Sequence, residues 1–248
     1  MSGAPARPGR RIPRRRSPLR GLLGVLVVLA LLAVVVDRAA CWFTQSAAAD
    51  RFQSSQQLSA KPTIRIGGFP FLTQLAARRF DDVTVKASGL VVGDASRKVR
   101  IASLTARLKG LTVARDLSSA TARSGTGHAI ISYPDLSKAA GIAVSWAGKT
   151  GGSSGRVKAS KTVTAAGQSF TGSVSAVPVV ASGNAIRFED PQVDLGNVGV
   201  PQWITDQFAG VLPPLSLSGL PNGLTLRSVL AGPDGVAIVL SLVNVTLR

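Results

Sequence analysis

From Gly21 to Val36 the chain runs for sixteen residues without one polar or charged side chain. A helix over that run is roughly 24 Å long at about 1.5 Å per residue. It falls short of a bilayer core of about 30 Å, yet it is longer than the ~7–15 residues of a typical signal-peptide core. Ala39–Phe43 extend it past Asp37-Arg38, and Trp42 and Phe43 suit the aromatic belt of the far interface. Seven arginines and no acid precede the run, between residues 1 and 20. That asymmetry keeps the tail in the cytoplasm and exports the chain beyond the run. The expected organisation is a basic, disordered cytoplasmic tail over residues 1–20, a transmembrane anchor or signal segment over 21–38, and an extracytoplasmic domain over 39–248. Two readings of the run stand. One is a retained single-pass anchor in the cell membrane. The other is a signal cleaved near Ala47-Ala48-Ala49, which would release the domain.

The exported part has 210 residues, enough for one large domain or two small ones. The formal charge of +17 is unevenly spread. Seven charges lie in the tail, Asp37 and Arg38 cancel, and +10 remains outside. Residues 61–161 hold 17 Lys/Arg against 5 Asp, whereas residues 162–248 hold 3 Arg against 5 acids. A basic half beside a neutral apolar half, close to a bilayer, suits anionic lipid headgroups. Nucleic acid is not an expected partner, because the domain is exported and clusters of basic and aromatic residues of RNA-binding type are missing.

Chemistry is scarce. The chain contains one histidine, one cysteine and one glutamate. His128 has no second histidine or cysteine pair with which to build a zinc site, and Cys41 cannot form an internal disulfide. Glu189-Asp190-Pro191 and Asp194 lack the spacing of a calcium loop and read as a solvated turn. Phosphate loop, nucleophile elbow and dinucleotide fingerprint are all absent. The expectation is a domain that binds rather than converts, with no catalytic residues, no metal and no cofactor.

The pattern after Lys61-Pro62, which should stop a helix over Ala39–Leu58, alternates with period two. Asp81–Ala87 puts Val83, Val85 and Ala87 on one face. Val99 and Ile101 alternate before the parity changes to Leu104, Ala106 and Leu108, which implies a bulge or a crossing between faces. Pro134–Ala140 reads as a short helix and Gly148–Gly155 as a turn. Pro201–Gly210 reads as a helix with Trp203, Ile204 and Phe208 on one face. Leu224–Leu230 and Val236–Leu247 form a closing hairpin. The fold class is α+β, with a strongly curved antiparallel sheet. In Gly67-Gly68-Phe69-Pro70-Phe71-Leu72 the glycines free the backbone ahead of two aromatics. The segment is either an apolar tip for a membrane or cavity mouth, or a tight turn whose aromatics fill the core. Trp146 and Trp203 either line an acyl cavity or fill a core.

Three stretches together resemble a known family. They are Asp37-Arg38 ahead of a helix, then Lys61-Pro62 leading to Gly68-Phe69-Pro70-Phe71-Leu72-Thr73-Gln74-Leu75, and finally Leu220-Pro221-Asn222-Gly223-Leu224-Thr225-Leu226 with Asp234-Gly235-Val236 and a last strand ending Asn244-Val245-Thr246-Leu247. The exported part is similar to the actinobacterial LmeA-type phospholipid-binding family. The resemblance implies a tubular lipid-binding-like fold, with a long helix against a curved sheet that encloses an apolar groove. It also implies binding, or transfer, of anionic phospholipid such as phosphatidylinositol in the cell envelope, in support of the maturation of mannosylated glycolipids. It supplies no catalytic residues. Expected lipid-binding residues are Phe69, Phe71, Leu72, Trp146, Trp203 and Phe208, and serines at Phe69 and Phe71 are expected to weaken lipid binding in a domain that still folds. The alternative is a membrane-tethered scaffold, without a cavity, for envelope glycosyltransferases.

Overall fold

The computed structural model describes residues 18–93, 98–116, 118–149, 155–165, 168–182, 184–194, 215–216 and 223–247. The expected tail and the expected helix over Pro201–Gly210 lie outside them, apart from residues 18–20 of the tail, which open the first helix. That helix, α1 (Pro18–Ser55), is one unbroken element that carries the apolar run straight into the domain. It ends six residues before Lys61. Gln57 adopts a left-handed backbone with φ 50°, Leu58 N–H donates to Gln53 O and Gln57 N–H to Ser54 O. This is the double hydrogen bond of a Schellman stop, with Leu58 buried behind it. The chain therefore stops the helix by itself, ahead of the proline.

Beyond α1 the described residues form eleven strands, all paired antiparallel. They are β1 (Thr63–Gly67), β2 (Arg79–Gly93), β3 (Lys98–Val113), β4 (Ala120–Ile131), β5 (Ala143–Lys149), β6 (Gly155–Ala165), β7 (Gln168–Ala181), β8 (Ala185–Asp194), β9 (Leu215–Ser216), β10 (Leu224–Gly232) and β11 (Gly235–Leu247). Two short helices interrupt them, α2 (Phe71–Ala77) and α3 (Tyr133–Ala140). The spatial order is β1-β2-β3-β4-β11-β10-β6-β7-β8-β9, with β5 on β6. Strands β10 and β6 are joined through a single pair, Ala231 with Gly155. The sheet turns a corner there and becomes two halves facing a common core. Its end strands β1 and β9 are not paired with each other, so the sheet stays open. This is the α+β fold with a curved antiparallel sheet that the alternation implies.

The parity change in β3 between Ile101 and Leu104 is not a register slip, since pairing with β2 and β4 keeps one register throughout, and the residues on both sides of it pack on one core. Val99, Ile101 and Leu104 pack on the core between the two halves, while Leu108, Leu111 and Val113 pack on a second core near α1 and α2. A left-handed glycine lies near each change, Gly89 (φ 72°) on β2 and Gly110 (φ 61°) on β3. Basic side chains take the other surface. Lys86, Arg107 and Lys109 are exposed on β2 and β3, where alternation sets them opposite Val83, Val85 and Leu108.

The expected solvated turn Glu189–Pro191 is instead part of β8, within an irregularity of its register against β7. Buried Arg156 of β6 fills it. Its guanidinium pairs with the Asp190 carboxylate at 2.6 Å and donates to the backbone oxygens of Ser175 and Asp190, groups that an unbroken ladder would have satisfied. At the end of β10 away from its pair with β6, Asn184 (φ 57°) leaves the β7–β8 turn and closes on the strand. Its amide donates to Leu224 O at 2.9 Å and accepts from Leu226 N–H at 2.8 Å. Tyr133, at the start of α3, donates to Gly232 O at 2.7 Å, and burial pushes its phenol up to about 12.

Candidate membrane- and lipid-facing site

α1 changes character at Asp37. From Leu26 to Val36 its large side chains are exposed and apolar. Asp37, directly after that run, is buried. Its carboxylate accepts from the Leu72 N–H at 2.8 Å, which caps the first turn of α2, and pairs with the Arg38 guanidinium at 2.5 Å. Arg38 also donates to Gly68 O, and its guanidinium lies 5.3 Å from the centre of the Phe69 ring. One turn on, Cys41 is buried against β1, and Gln45 donates both to the Cys41 sulfur (3.0 Å) and to Ile66 O (3.5 Å). The helix that leaves the apolar run is thus bolted to the domain.

The two phenylalanines of the Gly67–Leu72 segment face opposite ways. Phe71 is the plug. It is 1% exposed, stacks on Phe80 at 6.2 Å and sits in the core that α1, β2, β3 and β11 share. Phe69 is the tip, 64% exposed, with Leu72 and Leu75 exposed beside it on α2. Gln74 holds the loop shut, donating to Gly67 O at 3.2 Å and accepting from Asp81 N–H at 3.0 Å. The two phenylalanines therefore do different work. Serine at Phe71 removes core volume, so the expectation that the double substitution leaves a folded domain is corrected.

Trp146 lies elsewhere. It is on β5, partly exposed, with its indole over Gly155 of β6. Six strand steps separate β1 from β6 along the sheet, about 29 Å at ~4.8 Å per strand. The structure does not bring Trp146 to the Phe69 tip. Trp203 and Phe208 lie outside the described residues. His128 is exposed on β4 between buried Gly127 and Ala129. Among the described residues no group of three His, Cys, Asp or Glu side chains could hold a metal ion.

Two surfaces among the described residues are open to a lipid, one apolar and one of mixed lining. The first is the core between the sheet halves. Ile131, Val157, Ile186, Leu226, Val229 and Ile238 are buried at its centre, and Val99, Ile101, Leu104, Val144, Phe188 and Leu240 are only partly covered around it. The second is an open groove of about 360 Å³ between Trp42–Ala49 of α1 and Lys61–Ile64. Lys61 bridges its upper end to Asp50 (2.5 Å) and Ser46 (3.2 Å).

The family model described as LmeA-like phospholipid-binding matches residues 35–241. The chain belongs to the LmeA-like phospholipid-binding family. The match starts two residues before Asp37, so the LmeA-like region takes in the Asp37 clamp, the Phe69 tip, the first core and most of the second, and leaves out most of the apolar run. No curated protein and no solved structure matches the chain. Sequence reasoning singled out Asp37 and Gln74 only as parts of the stretches that carry the resemblance, missed that Asp37 caps α2 from 35 residues away and that Gln74 closes the loop, and missed Arg156.

Proposed function

We propose that this chain is a membrane-anchored, non-enzymatic phospholipid-binding protein of the cell envelope, with its domain on the extracytoplasmic side. The observation that carries this, in a member of a phospholipid-binding family, is the open sheet whose inner apolar surface is only partly covered. An acyl chain that completes that cover gains about 0.8 kcal/mol per buried CH₂. An exposed headgroup ion pair gives about 0–1 kcal/mol. Capture is therefore dominated by the chain, and Lys86, Arg107 and Lys109, on the outer surface, favour anionic lipid such as phosphatidylinositol through their field rather than by contact. The role in maturation of mannosylated glycolipids comes from delivering or holding such a lipid beside envelope glycosyltransferases. The burial of Asp37, Cys41 and Ala49 in the domain supports a retained anchor, because cleavage after Ala49 would strip all three from their contacts.

The test is native mass spectrometry of the full chain after exhaustive detergent exchange, followed by lipid extraction. A phospholipid at fixed stoichiometry is expected. A folded, lipid-free protein that also fails to take up phosphatidylinositol from vesicles would overturn the reading in favour of a scaffold.

A further inference from the structure

We propose that the Phe69–Leu75 tip is itself seated in the outer leaflet of the bilayer that α1 spans, as one rigid unit with the helix. This rests on the retained-anchor reading above and adds a second membrane-contact element to it. The height of the tip comes from two contacts. Asp37 holds the Leu72 N–H at 2.8 Å, and the Arg38 guanidinium lies 5.3 Å from the Phe69 ring. Phe69 and Leu72 therefore stand level with residues 37–38, where the apolar run ends. Trp42 and Phe43, exposed at 63% and 67%, project from α1 four to five residues further on. That is about 6–7 Å further from the membrane centre at 1.5 Å per residue. With those aromatics at headgroup level, where such side chains collect, Phe69 and Leu72 lie deeper, among the glycerol and upper acyl groups.

The length of the run demands the same depth. Its ~24 Å leaves about 6 Å of a ~30 Å core unfilled, and the membrane closes such a gap by thinning or by drawing in the flanking residues. Residues 37–40 and the tip beside them are those residues. The tip is built for that medium, because its polar groups are satisfied internally. Asp37 pairs with Arg38 and takes the Leu72 N–H, Arg38 donates to Gly68 O, Gln74 donates to Gly67 O, and Thr73 donates to Pro70 O. Phe69, Pro70, Leu72 and Leu75 face outward, with Thr73 as the one polar side chain exposed among them. Charge contributes little. Arg38, Arg65, Arg78 and Arg79 around the tip are nearly balanced by Asp37, Asp81 and Asp82.

The test uses the full chain in phosphatidylcholine vesicles containing some phosphatidylglycerol. Single nitroxide labels are placed through Phe69→Cys, Leu72→Cys, Val36→Cys and Arg107→Cys. Native Cys41 is buried, and the unsubstituted chain reports any labelling there. Labels at 69 and 72 are expected to match the one at 36, with a several-fold loss of collisions with a water-soluble nickel chelate relative to 107 and a gain with oxygen. Raising salt should leave that protection in place, because the contact is apolar. Nickel accessibility at 69 and 72 equal to that at 107 would overturn the seated tip, as would protection from nickel without the gain in oxygen collisions, the signature of a protein partner or of the tip folding back on the domain. A water-exposed tip on a chain that still carries phospholipid leaves lipid binding intact, and a seated tip on a lipid-free chain does the reverse. Loss of residues 1–49 from the mature chain would overturn both the anchor and the seat.

Discussion

Phe69 and Phe71 are two residues apart and carry opposite loads, and substitution separates them. Phe71→Ser exchanges a fully buried ring for a hydroxyl inside the core shared by α1, β2, β3 and β11. It should cost about 3–5 kcal/mol, the range for emptying an aromatic core site, and should be visible as a large fall in the denaturation midpoint. Phe69→Ser removes an exposed ring and should leave that midpoint within about 0.5 kcal/mol of the parent, as for most surface changes, while weakening association with bilayers. Gly68 sits between the two consequences. Its φ of 92° disfavours any side chain, and an added Cβ would overlap the Gln74 amide that holds the loop shut. Gly68→Ala should destabilise by about 1–3 kcal/mol, the cost of a strained non-glycine backbone position, and chemical denaturation reads it directly. The sequence showed that this segment was special, since two glycines and two aromatics flank a proline. It could not show which ring faces inward, because alternation is lost in a turn and the deciding partners, Phe80 and Asp37, lie nine residues ahead and more than thirty behind.

At the level of elements, the strands were legible and their joints were not. Period-two alternation located β2, β3 and the β10–β11 hairpin, because each shows apolar residues to a core. The joints depend on polar side chains acting over long separations, and periodicity carries no trace of those. Arg156 is one of 17 Lys/Arg in a basic stretch and looks like any surface cation. Only the β7–β8 irregularity makes it a structural plug. Arg156→Met keeps the bulk of the stem but strands the Ser175 and Asp190 carbonyls, and should cost about 2–3 kcal/mol for buried acceptors left unpaired. Asn184 is the corresponding joint between the two halves, at the Leu224 end of β10, away from the strand's single backbone pair with β6. Its amide supplies the donor and the acceptor that Leu224 and Leu226 would otherwise lack. Asn184→Ala should cost about 1–3 kcal/mol through those two unpaired backbone groups. Faster hydrogen exchange confined to the Leu224–Leu226 end of β10 would distinguish a loosened joint from general destabilisation.

Taken as a whole molecule, the chain ties its address to its fold. A signal peptide is dispensable once the domain has folded, whereas α1 continues unbroken from the apolar run into contacts that the domain needs. Where the chain can be cut shows this. A chain beginning at Asp37 keeps the cap on α2, buried Cys41 and the Gln45 hydrogen bonds to β1. A chain beginning at Ala47 loses all of them, exposes the Ile66 carbonyl and leaves the face of Phe71 and Val83 without its helix. The longer cut should therefore lower the unfolding midpoint well below that of the shorter one. If the lost burial and hydrogen bonds sum to about 2–3 kcal/mol, the shift is about 4–12 °C for a domain of this size. Thermal unfolding of the two truncated chains, followed by circular dichroism, measures the difference. Equal midpoints would mean that Ala47–Ser55 alone docks on β1, so that the Asp37 clamp serves the membrane level of the tip and not the stability of the domain. A lower midpoint for the longer cut means that the residues directly after the apolar run hold the domain together, so that the run and the fold share one continuous helix.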